Sequence, residues 1–236
     1  MAVVRSAVTP IVALDVGSTA DAVQMVNELG DLCRFYKIGS ELHTAEGPAV
    51  VRAVQGLGAS VFLDLKFLDI PNTVRGAVRS AAALGVRILT VHASGGRAMM
   101  EAAVAAAHAA GAACEIFAVT VLTSMDADTL SSVWGRPLKD VEGEVLRLAR
   151  LAHDSGARGI VCSGREAAAV REKFEGAVAT LVPGVRLPGG DRQDQSRVVT
   201  PHEAAAAGAR YMVLGRAVTA AESPRTAMEA VLADLP

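Results

Sequence analysis

Short apolar runs recur along the chain, and amphipathic, alanine-rich stretches separate them. Eight such runs occur, at residues 11–16, 34–40, 60–67, 87–93, 115–122, 159–163, 179–185 and 211–217. Their length and their content of β-branched residues are typical of strands that are buried on both faces of a parallel sheet. The pattern therefore predicts eight parallel strands that alternate with helices.

The stretches between the runs carry signals for the ends of helices. TPHE at 200–203 offers Thr at the N-cap, Pro at the first helical position and Glu at the third. SGRE at 163–166 repeats the spacing of Ser and Glu, and GSTAD at 17–21 offers a Ser or Thr cap with Asp in the first turn. Glycines that suit helix C-termini are Gly30, Gly85, Gly111 and Gly208.

Eight alternations of strand and helix in 236 residues predict an α/β protein, a single (β/α)8 TIM barrel that spans residues 1–236. The alternative is an open, doubly wound sheet. It is less favoured because DVGSTAD, after the first run, lacks the G-x-G-x-x-G turn of dinucleotide-binding folds. No linker divides the chain. The loops after the fifth and seventh runs are the longest, and long loops in compact domains are usually functional.

The composition narrows the class of protein. About half of the residues (51%) are apolar, and the formal net charge of −2 gives no electrostatic basis for binding nucleic acid or an anionic membrane. Residues 102–114, the longest weakly polar tract, are too few to span a bilayer. The three cysteines lie far apart and fit a reducing compartment. We expect a soluble, cytoplasmic protein without a signal peptide.

Lysine is rare in this chain. Of the 23 basic residues, four are lysines: Lys37, Lys66, Lys139 and Lys173. Lys139 and Lys173 lie in polar stretches, whereas Lys37 and Lys66 lie within predicted strands. Lys66 belongs to DLKFLDIPNT at 64–73, where charged residues and a proline follow an apolar lead-in. These two lysines are therefore candidates for a functional role.

In a (β/α)8 barrel the catalytic residues lie at the carboxyl ends of the strands. The polar residues and the glycine predicted there are Asp15, Lys37, Asp64, Lys66, His92, Thr123, Ser124, Arg186, Gly215 and Arg216. Asp64 and Lys66 are two residues apart, so on a regular strand they face the same side. Asp69 precedes Pro71 by two positions, in a projecting turn that can point away from its own barrel.

Two interpretations of these charges are open. They could form a structural network of ion pairs, since buried ions are costly unless they are paired. A catalytic array is favoured, because barrel interiors are normally filled by branched apolar residues and these charges cluster at the catalytic end.

A second signal follows the seventh and eighth runs, where barrels commonly bind phosphate. Gly215 allows a backbone N–H to approach an anion, and Arg216 and Arg186 add guanidinium donors. A Gly-Arg pair is unspecific by itself, and surface residues are the alternative.

Together these residues resemble the orotidine 5′-phosphate decarboxylase family. The matching segments run nearly from end to end: ALDV, YKIGSEL, DLKFLDIPNT, TVHASGG, VLTSM, PGVR, DQSR, TPHEAAAAGA and VLGRA. The D-x-K-x-x-D-I-P-N-T segment is the most specific of them. The resemblance implies a lyase of pyrimidine nucleotide (UMP) biosynthesis that removes carbon dioxide from C6 of orotidine 5′-phosphate, with no cofactor and no metal.

The resemblance also implies roles for individual residues. Asp15 and Lys37 hold the ribose hydroxyls, and Lys37 also belongs to the charged array. Asp64 and Lys66 face the reacting carbon. Asp69 reaches the site of the neighbouring subunit in a homodimer, and Ile70 and Thr73 of the same turn line that site.

The resemblance further implies that Ser124 and the backbone near Thr123 hold the pyrimidine. Arg186, Gln195, Gly215 and Arg216 bind the phosphate, and Gln195 also reaches the base. Gln193 is the alternative to Gln195, because the loop offers two glutamines. His92 is either an acid that contacts the substrate or a packed residue behind the site.

In the implied mechanism, the Lys66 ammonium stabilises the negative charge that develops at C6 and then donates a proton to it. Asp64 and Asp69 keep the ammonium charged. Two alternatives are retained: a metal-dependent sugar-phosphate decarboxylase or hexulose-phosphate synthase of the same superfamily, and a non-catalytic phosphate-binding barrel.

Overall fold

Eight parallel strands close into a barrel in the computed structural model of the protein, which describes residues 8–111, 113–187 and 198–236. The strands are β1 (Thr9–Ala13), β2 (Phe35–Gly39), β3 (Ser60–Phe67), β4 (Ile88–His92), β5 (Glu115–Val119), β6 (Gly159–Val161), β7 (Ala179–Val182) and β8 (Tyr211–Leu214). Neighbours in the barrel follow the chain order, and β1 pairs with β8. The predicted (β/α)8 fold is confirmed.

Helices connect the strands around the outside of the barrel. They are α1 (Thr19–Leu29), α2 (Ser40–Glu46), α3 (Pro48–Gly56), α4 (Pro71–Ala82), α5 (Gly96–Ala109), α6 (Ala127–Trp134), α7 (Val141–Asp154), α8 (Gly164–Lys173), α9 (Pro201–Ala206), α10 (Arg216–Thr219) and α11 (Pro224–Ala233). The β2–β3 connection contains two helices. The long loop predicted after the fifth strand is partly helical, because it contains α6.

The predicted helix starts are confirmed. Ser18 caps α1 by accepting a hydrogen bond from the backbone N–H of Asp21. Capping boxes begin α8, with Ser163 and Glu166, and α9, with Thr200 and Glu203. In each box two backbone N–H groups that the helix leaves unpaired are satisfied by side chains. These caps fix the points at which the loops from the strand ends enter the following helices.

The barrel interior is apolar towards the amino-terminal ends of its strands. Phe35 and Tyr211, which begin β2 and β8, meet edge to face with ring centroids 5.9 Å apart. Phe117 of β5 meets the same tyrosine at 5.7 Å. Edge-to-face contacts of this kind are favourable arrangements of aromatic rings. The aromatic cluster of Phe35, Phe117 and Tyr211 fills the barrel interior near this end, where the Tyr211 hydroxyl lies 3.5 Å from Glu115 Oε2.

Candidate active site

A cavity of about 410 Å³ opens at the carboxyl ends of the strands. Most of the residues predicted for the site line it: Asp15, Lys37, Asp64, Lys66, Thr123, Ser124, Arg186, Gly215 and Arg216. Apolar side chains of the strands, including Phe62, Val119 and Leu181, form its inner wall. The volume is in the range of pockets that bind small molecules. The fold thus brings together residues from β1, β2, β3, β5, β7 and β8 or from the loops that follow them.

Asp64 and Lys66 form an ion pair at the end of β3. The Lys66 Nζ lies 2.7 Å from Asp64 Oδ2, and Asp64 is buried. Both residues line the cavity, as the spacing of two predicts, but β3 is not a regular strand at this point. Lys66 has a φ of +49°, a left-handed conformation that is uncommon for residues other than glycine. The alternation of side chains along a regular strand therefore does not explain why Asp64 and Lys66 both face the cavity.

The pairing of β3 with β4 shows how the strand accommodates this conformation. Leu63 pairs with Leu89 and Phe67 pairs with Val91, so three residues of β3 oppose the single residue Thr90. The irregularity is a β-bulge, a feature that commonly redirects a side chain near an active site. Here the bulge contains both members of the Asp64–Lys66 pair.

A second ion pair joins β2 to the loop after β1. The Lys37 Nζ lies 2.8 Å from Asp15 Oδ1. Asp15 was predicted on the first strand, but β1 ends at Ala13, so the aspartate lies in the loop and is exposed. Gly39 makes room for the pair: a Cβ at this position would lie 3.0 Å from Lys37 Nζ and 3.4 Å from Asp15 Oδ1. Gly39 was not among the predicted site residues.

The turn between β3 and α4 projects away from the cavity of its own chain. Asp69 is exposed, and its Oδ1 accepts a hydrogen bond of 2.6 Å from the backbone N–H of Ile70. Leu68 and Ile70 on either side are large apolar residues with 57% and 67% of their surface exposed. Asp69, Ile70 and Thr73 do not line the cavity. The geometry agrees with the predicted outward turn, whose destination remains a prediction.

Two arginines line the cavity near the ends of β7 and β8. Arg186 is buried, and its backbone N–H donates to the carbonyl of Val199 at 2.9 Å. Gly215 is the N-cap residue of α10, and Arg216 is the first residue of that helix. This part of the cavity carries positive charge and can accommodate an anion. Gln195 and the alternative Gln193 lie outside the described residues.

Thr123 and Ser124 line the cavity from the loop between β5 and α6. The loop ends at Asp126, whose side chain caps α6 by accepting a hydrogen bond from the backbone N–H of Thr129.

At the other end of α6, the ring of Trp134 packs under the guanidinium groups of Arg136 and Arg147, each 5.6 Å from its centroid. Trp134 therefore has a packing role beside the two arginines.

His92 ends β4 beside the charged pair of β3. It is half-buried and is not one of the residues that line the cavity. Burial lowers the pKa of its imidazole from 6.5, and the nearby Lys66 ammonium lowers it further, while the Asp64 carboxylate acts in the opposite direction. The neutral imidazole is thus the form that the folded protein favours.

The free energy of unfolding is expected to fall as the pH drops below about 6.5, in part because of His92. The unfolded chain takes up a proton there that the folded chain binds only at lower pH. His92→Gln should reduce the loss of stability between pH 7.5 and 5.5, measured by urea unfolding, whereas His108→Gln, at an exposed position of α5, should not. Equal losses in wild type and His92→Gln would contradict this account.

Within the ranges that the structure describes, no group of three or more His, Cys, Asp and Glu side chains is arranged to hold a metal ion. Among the described helices, none has the length and apolar character needed to cross a membrane.

The fold and the cavity define the class: a (β/α)8 barrel with a charged cavity at the end where proteins of this fold carry their active sites. The chain belongs to the orotidine 5′-phosphate decarboxylase / HUMPS family, whose sequence model matches residues 9–231. The resemblance that the motifs indicated is thereby confirmed.

Several relatives are similar over nearly the whole chain. Orotidine 5′-phosphate decarboxylase of Moorella thermoacetica is 47% identical over 230 residues, which cover 95% of this chain and 91% of that protein. The protein of the same name from Halorhodospira halophila is 48% identical over 228 residues, covering 95% and 94%. The crystal structure of orotidine 5′-phosphate decarboxylase from Lactobacillus acidophilus superposes with a TM-score of 0.84 at 34% identity, covering 96% of this chain and 98% of that one.

Proposed function

We propose that the protein decarboxylates orotidine 5′-phosphate to uridine 5′-phosphate without a cofactor, and that Lys66 stabilises and protonates C6. Membership of the family and the names of the relatives support the reaction, which makes the protein a carboxy-lyase of pyrimidine biosynthesis. The observation that carries the role of Lys66 is its ion pair with Asp64, 2.7 Å long, in the wall of the cavity. We further propose that residues 1–236 form one catalytic domain.

The reaction requires a positive charge held close to one carbon atom. The bond between C6 and the carboxylate breaks, carbon dioxide leaves, and the electron pair stays on C6 in an orbital that the ring cannot delocalise. The Lys66 ammonium stabilises this charge and transfers a proton to C6, after which its amine regains a proton from solvent. Enzymes typically lower such barriers by roughly 8–23 kcal/mol, and preorganised charge is usually the largest contribution.

A carboxylate beside the ammonium serves two purposes. Asp64 stabilises the positive charge of Lys66 in a partly buried position, where an isolated ammonium would be disfavoured. It also fixes the position of Nζ, because the pair is connected by a direct hydrogen bond. Arginine could not replace Lys66 in this role, since a guanidinium does not release its proton at physiological pH.

The rest of the cavity suits the remaining parts of the nucleotide. We assign the ribose hydroxyls to Asp15 and Lys37, and the pyrimidine to Thr123 and Ser124. We assign the phosphate to Arg186, Gly215 and Arg216, together with Gln195. The positive charge near β7 and β8 supports the last assignment, because guanidinium groups and backbone N–H groups are the usual ligands of phosphate in this fold.

We propose that the protein works in the cytoplasm as a homodimer, and the outward turn supports the dimer. Leu68 and Ile70 expose apolar surface on both sides of Asp69, and adjoining exposed apolar side chains are suited to a contact with another protein surface. In the proposed dimer, Asp69 completes the charged array of the neighbouring barrel, and Ile70 and Thr73 line that site. Neither nucleic acid nor membrane is a proposed partner, given the net charge of −2.

The decisive experiment follows the absorbance of orotidine 5′-phosphate after addition of purified protein in EDTA. We expect the absorbance of orotidine 5′-phosphate to fall in the presence of EDTA, with uridine 5′-phosphate as the product. A metal-dependent sugar-phosphate decarboxylase or synthase would be inactive in EDTA and would leave the nucleotide unchanged. A non-catalytic barrel would bind the nucleotide without converting it. Either of these outcomes would overturn the proposed function.

Arg216→Ala is expected to weaken binding of uridine 5′-phosphate by about 10- to 100-fold, the range of a lost charge-assisted hydrogen bond. Turnover of orotidine, which has no phosphate, should hardly change. Binding is measured by calorimetry. Arg210→Ala is the control, because this exposed arginine precedes the opposite end of β8 and lies over Tyr211. If turnover of orotidine fell by the same factor as binding of uridine 5′-phosphate, the result would argue against a phosphate site at Arg216.

A further inference from the structure

We propose that Thr90 is a positioning residue for the Asp64–Lys66 pair, an inference that rests on the proposed function. Thr90 lies in the middle of β4, is fully buried, and faces the bulge of β3. Its hydroxyl donates to Asp64 Oδ1 at 2.8 Å and accepts from the backbone N–H of Lys66 at 3.0 Å. One side chain thus holds both members of the pair.

The two hydrogen bonds act on different parts of the pair. The bond to Asp64 fixes one carboxylate oxygen, which leaves Oδ2 directed at the Lys66 Nζ, 2.7 Å away. The bond from Lys66 satisfies a backbone N–H that the bulge removes from the regular ladder between β3 and β4. A buried N–H without a partner is costly, so this bond favours the left-handed conformation at Lys66.

A hydroxyl is well suited to this position, because it donates one hydrogen bond and accepts another at the same time. Valine has nearly the same shape as threonine but can do neither, and water cannot readily take over where the side chain is fully buried. Serine retains the hydroxyl and loses only a methyl group. The valine and serine variants therefore separate hydrogen bonding from packing.

Loss of the Thr90 hydroxyl should loosen the Asp64–Lys66 ion pair without preventing the nucleotide from binding in the cavity. Asp64 would be free to rotate and Lys66 could leave the left-handed conformation, so Nζ would no longer be held opposite C6. A displacement of about 1 Å in a catalytic group can cost roughly 100-fold in rate. The groups assigned to ribose and phosphate lie on other strands and loops, so nucleotide binding should be little affected.

The test compares kcat and KM for Thr90→Val and Thr90→Ser. We expect Thr90→Val to lower kcat by about 10- to 100-fold with KM within about threefold of wild type, and Thr90→Ser to stay within about fivefold of wild type in kcat. The control is Thr180→Val on β7, a buried threonine whose hydroxyl has no hydrogen-bond partner among the described residues. It undergoes the same change and should keep wild-type kcat.

A second measurement follows the exchange of the C6 proton of uridine 5′-phosphate with solvent deuterium by NMR. This exchange requires charge at C6 but no carboxylate, so it reports directly on the position of Lys66. Thr90→Val should slow it, and Thr90→Ser should not. If Thr90→Val does not fold, Thr90→Ala takes its place, since it removes the hydroxyl and introduces no crowding.

The outcomes separate this inference from the proposed function. A wild-type protein that neither decarboxylates orotidine 5′-phosphate nor exchanges the C6 proton would overturn the function itself. An active wild type with an equally active Thr90→Val would overturn the role of Thr90. Equal loss of kcat in the valine and serine variants would overturn it as well, because packing rather than the hydroxyl would then be responsible.

Discussion

Lys66→Ala is expected to lower kcat by at least about 10⁴-fold while uridine 5′-phosphate still binds. The variant loses a preorganised positive charge and a general acid at once, and each contributes about 10²-fold or more in enzymes. The phosphate and ribose contacts assigned to other residues remain. Turnover is measured by the absorbance assay, and binding by calorimetry.

Two further variants sharpen this test. Lys173→Ala removes an exposed lysine of α8 and should have wild-type activity. Lys66→Arg keeps a positive charge but cannot release a proton, so it should remain strongly impaired. A Lys66→Ala protein that retained roughly a tenth of the wild-type rate would contradict the proposed role. Loss of either contribution alone should reduce the rate by more than about tenfold.

Asp69→Ala is expected to be nearly inactive alone and to regain activity when it is mixed with Lys66→Ala. In the proposed dimer, each site takes Lys66 from one chain and Asp69 from the other. A mixed dimer therefore has one site with both residues intact and one site with neither. After random reassociation about half of the dimers are mixed, so roughly a quarter of all sites should recover wild-type turnover.

The mixing experiment uses co-expression or joint refolding of the two variants, with distinguishable tags to isolate the mixed dimers. The control is a mixture of Asn72→Ala chains with Lys66→Ala chains. Asn72 is an exposed residue of the same region and has no assigned role in the site. If Asp69 served its own barrel, each site of a mixed dimer would lack one of the two residues. Isolated mixed dimers without recovered activity would therefore exclude the shared site.

The alternation of apolar runs and capped helices was sufficient to predict the barrel, because parallel strands buried on both faces leave a strong pattern. The predicted positions of the strand ends were less accurate. The first run extends to residue 16, whereas β1 ends at Ala13, and the fifth extends to 122, whereas β5 ends at Val119. Leu14 is buried in the core and Val121 and Leu122 line the cavity, so these residues are apolar without belonging to the sheet.

The bulge at Lys66 could not be predicted from the sequence. A left-handed residue inside a strand is usually signalled by glycine, and here the position is occupied by lysine. Thr90 was missed for a related reason: a threonine within an apolar strand gives no sign of its partners, which lie 24 and 26 positions earlier in the chain. Gly39 offered a weak signal, as a glycine close to a charged residue at a strand end.

The aromatic cluster of Phe35, Phe117 and Tyr211 has a consequence for the dielectric environment of the charged pair. The rings belong to the same apolar cluster as Phe62, Val119 and Leu181, which form the inner wall of the cavity, so a ligand that fills the cavity leaves little room for water against this wall. Attraction between charges strengthens as water is displaced. The substrate itself would thus increase the field that the Lys66 ammonium exerts on C6, and the charges would act most strongly only once the site is occupied.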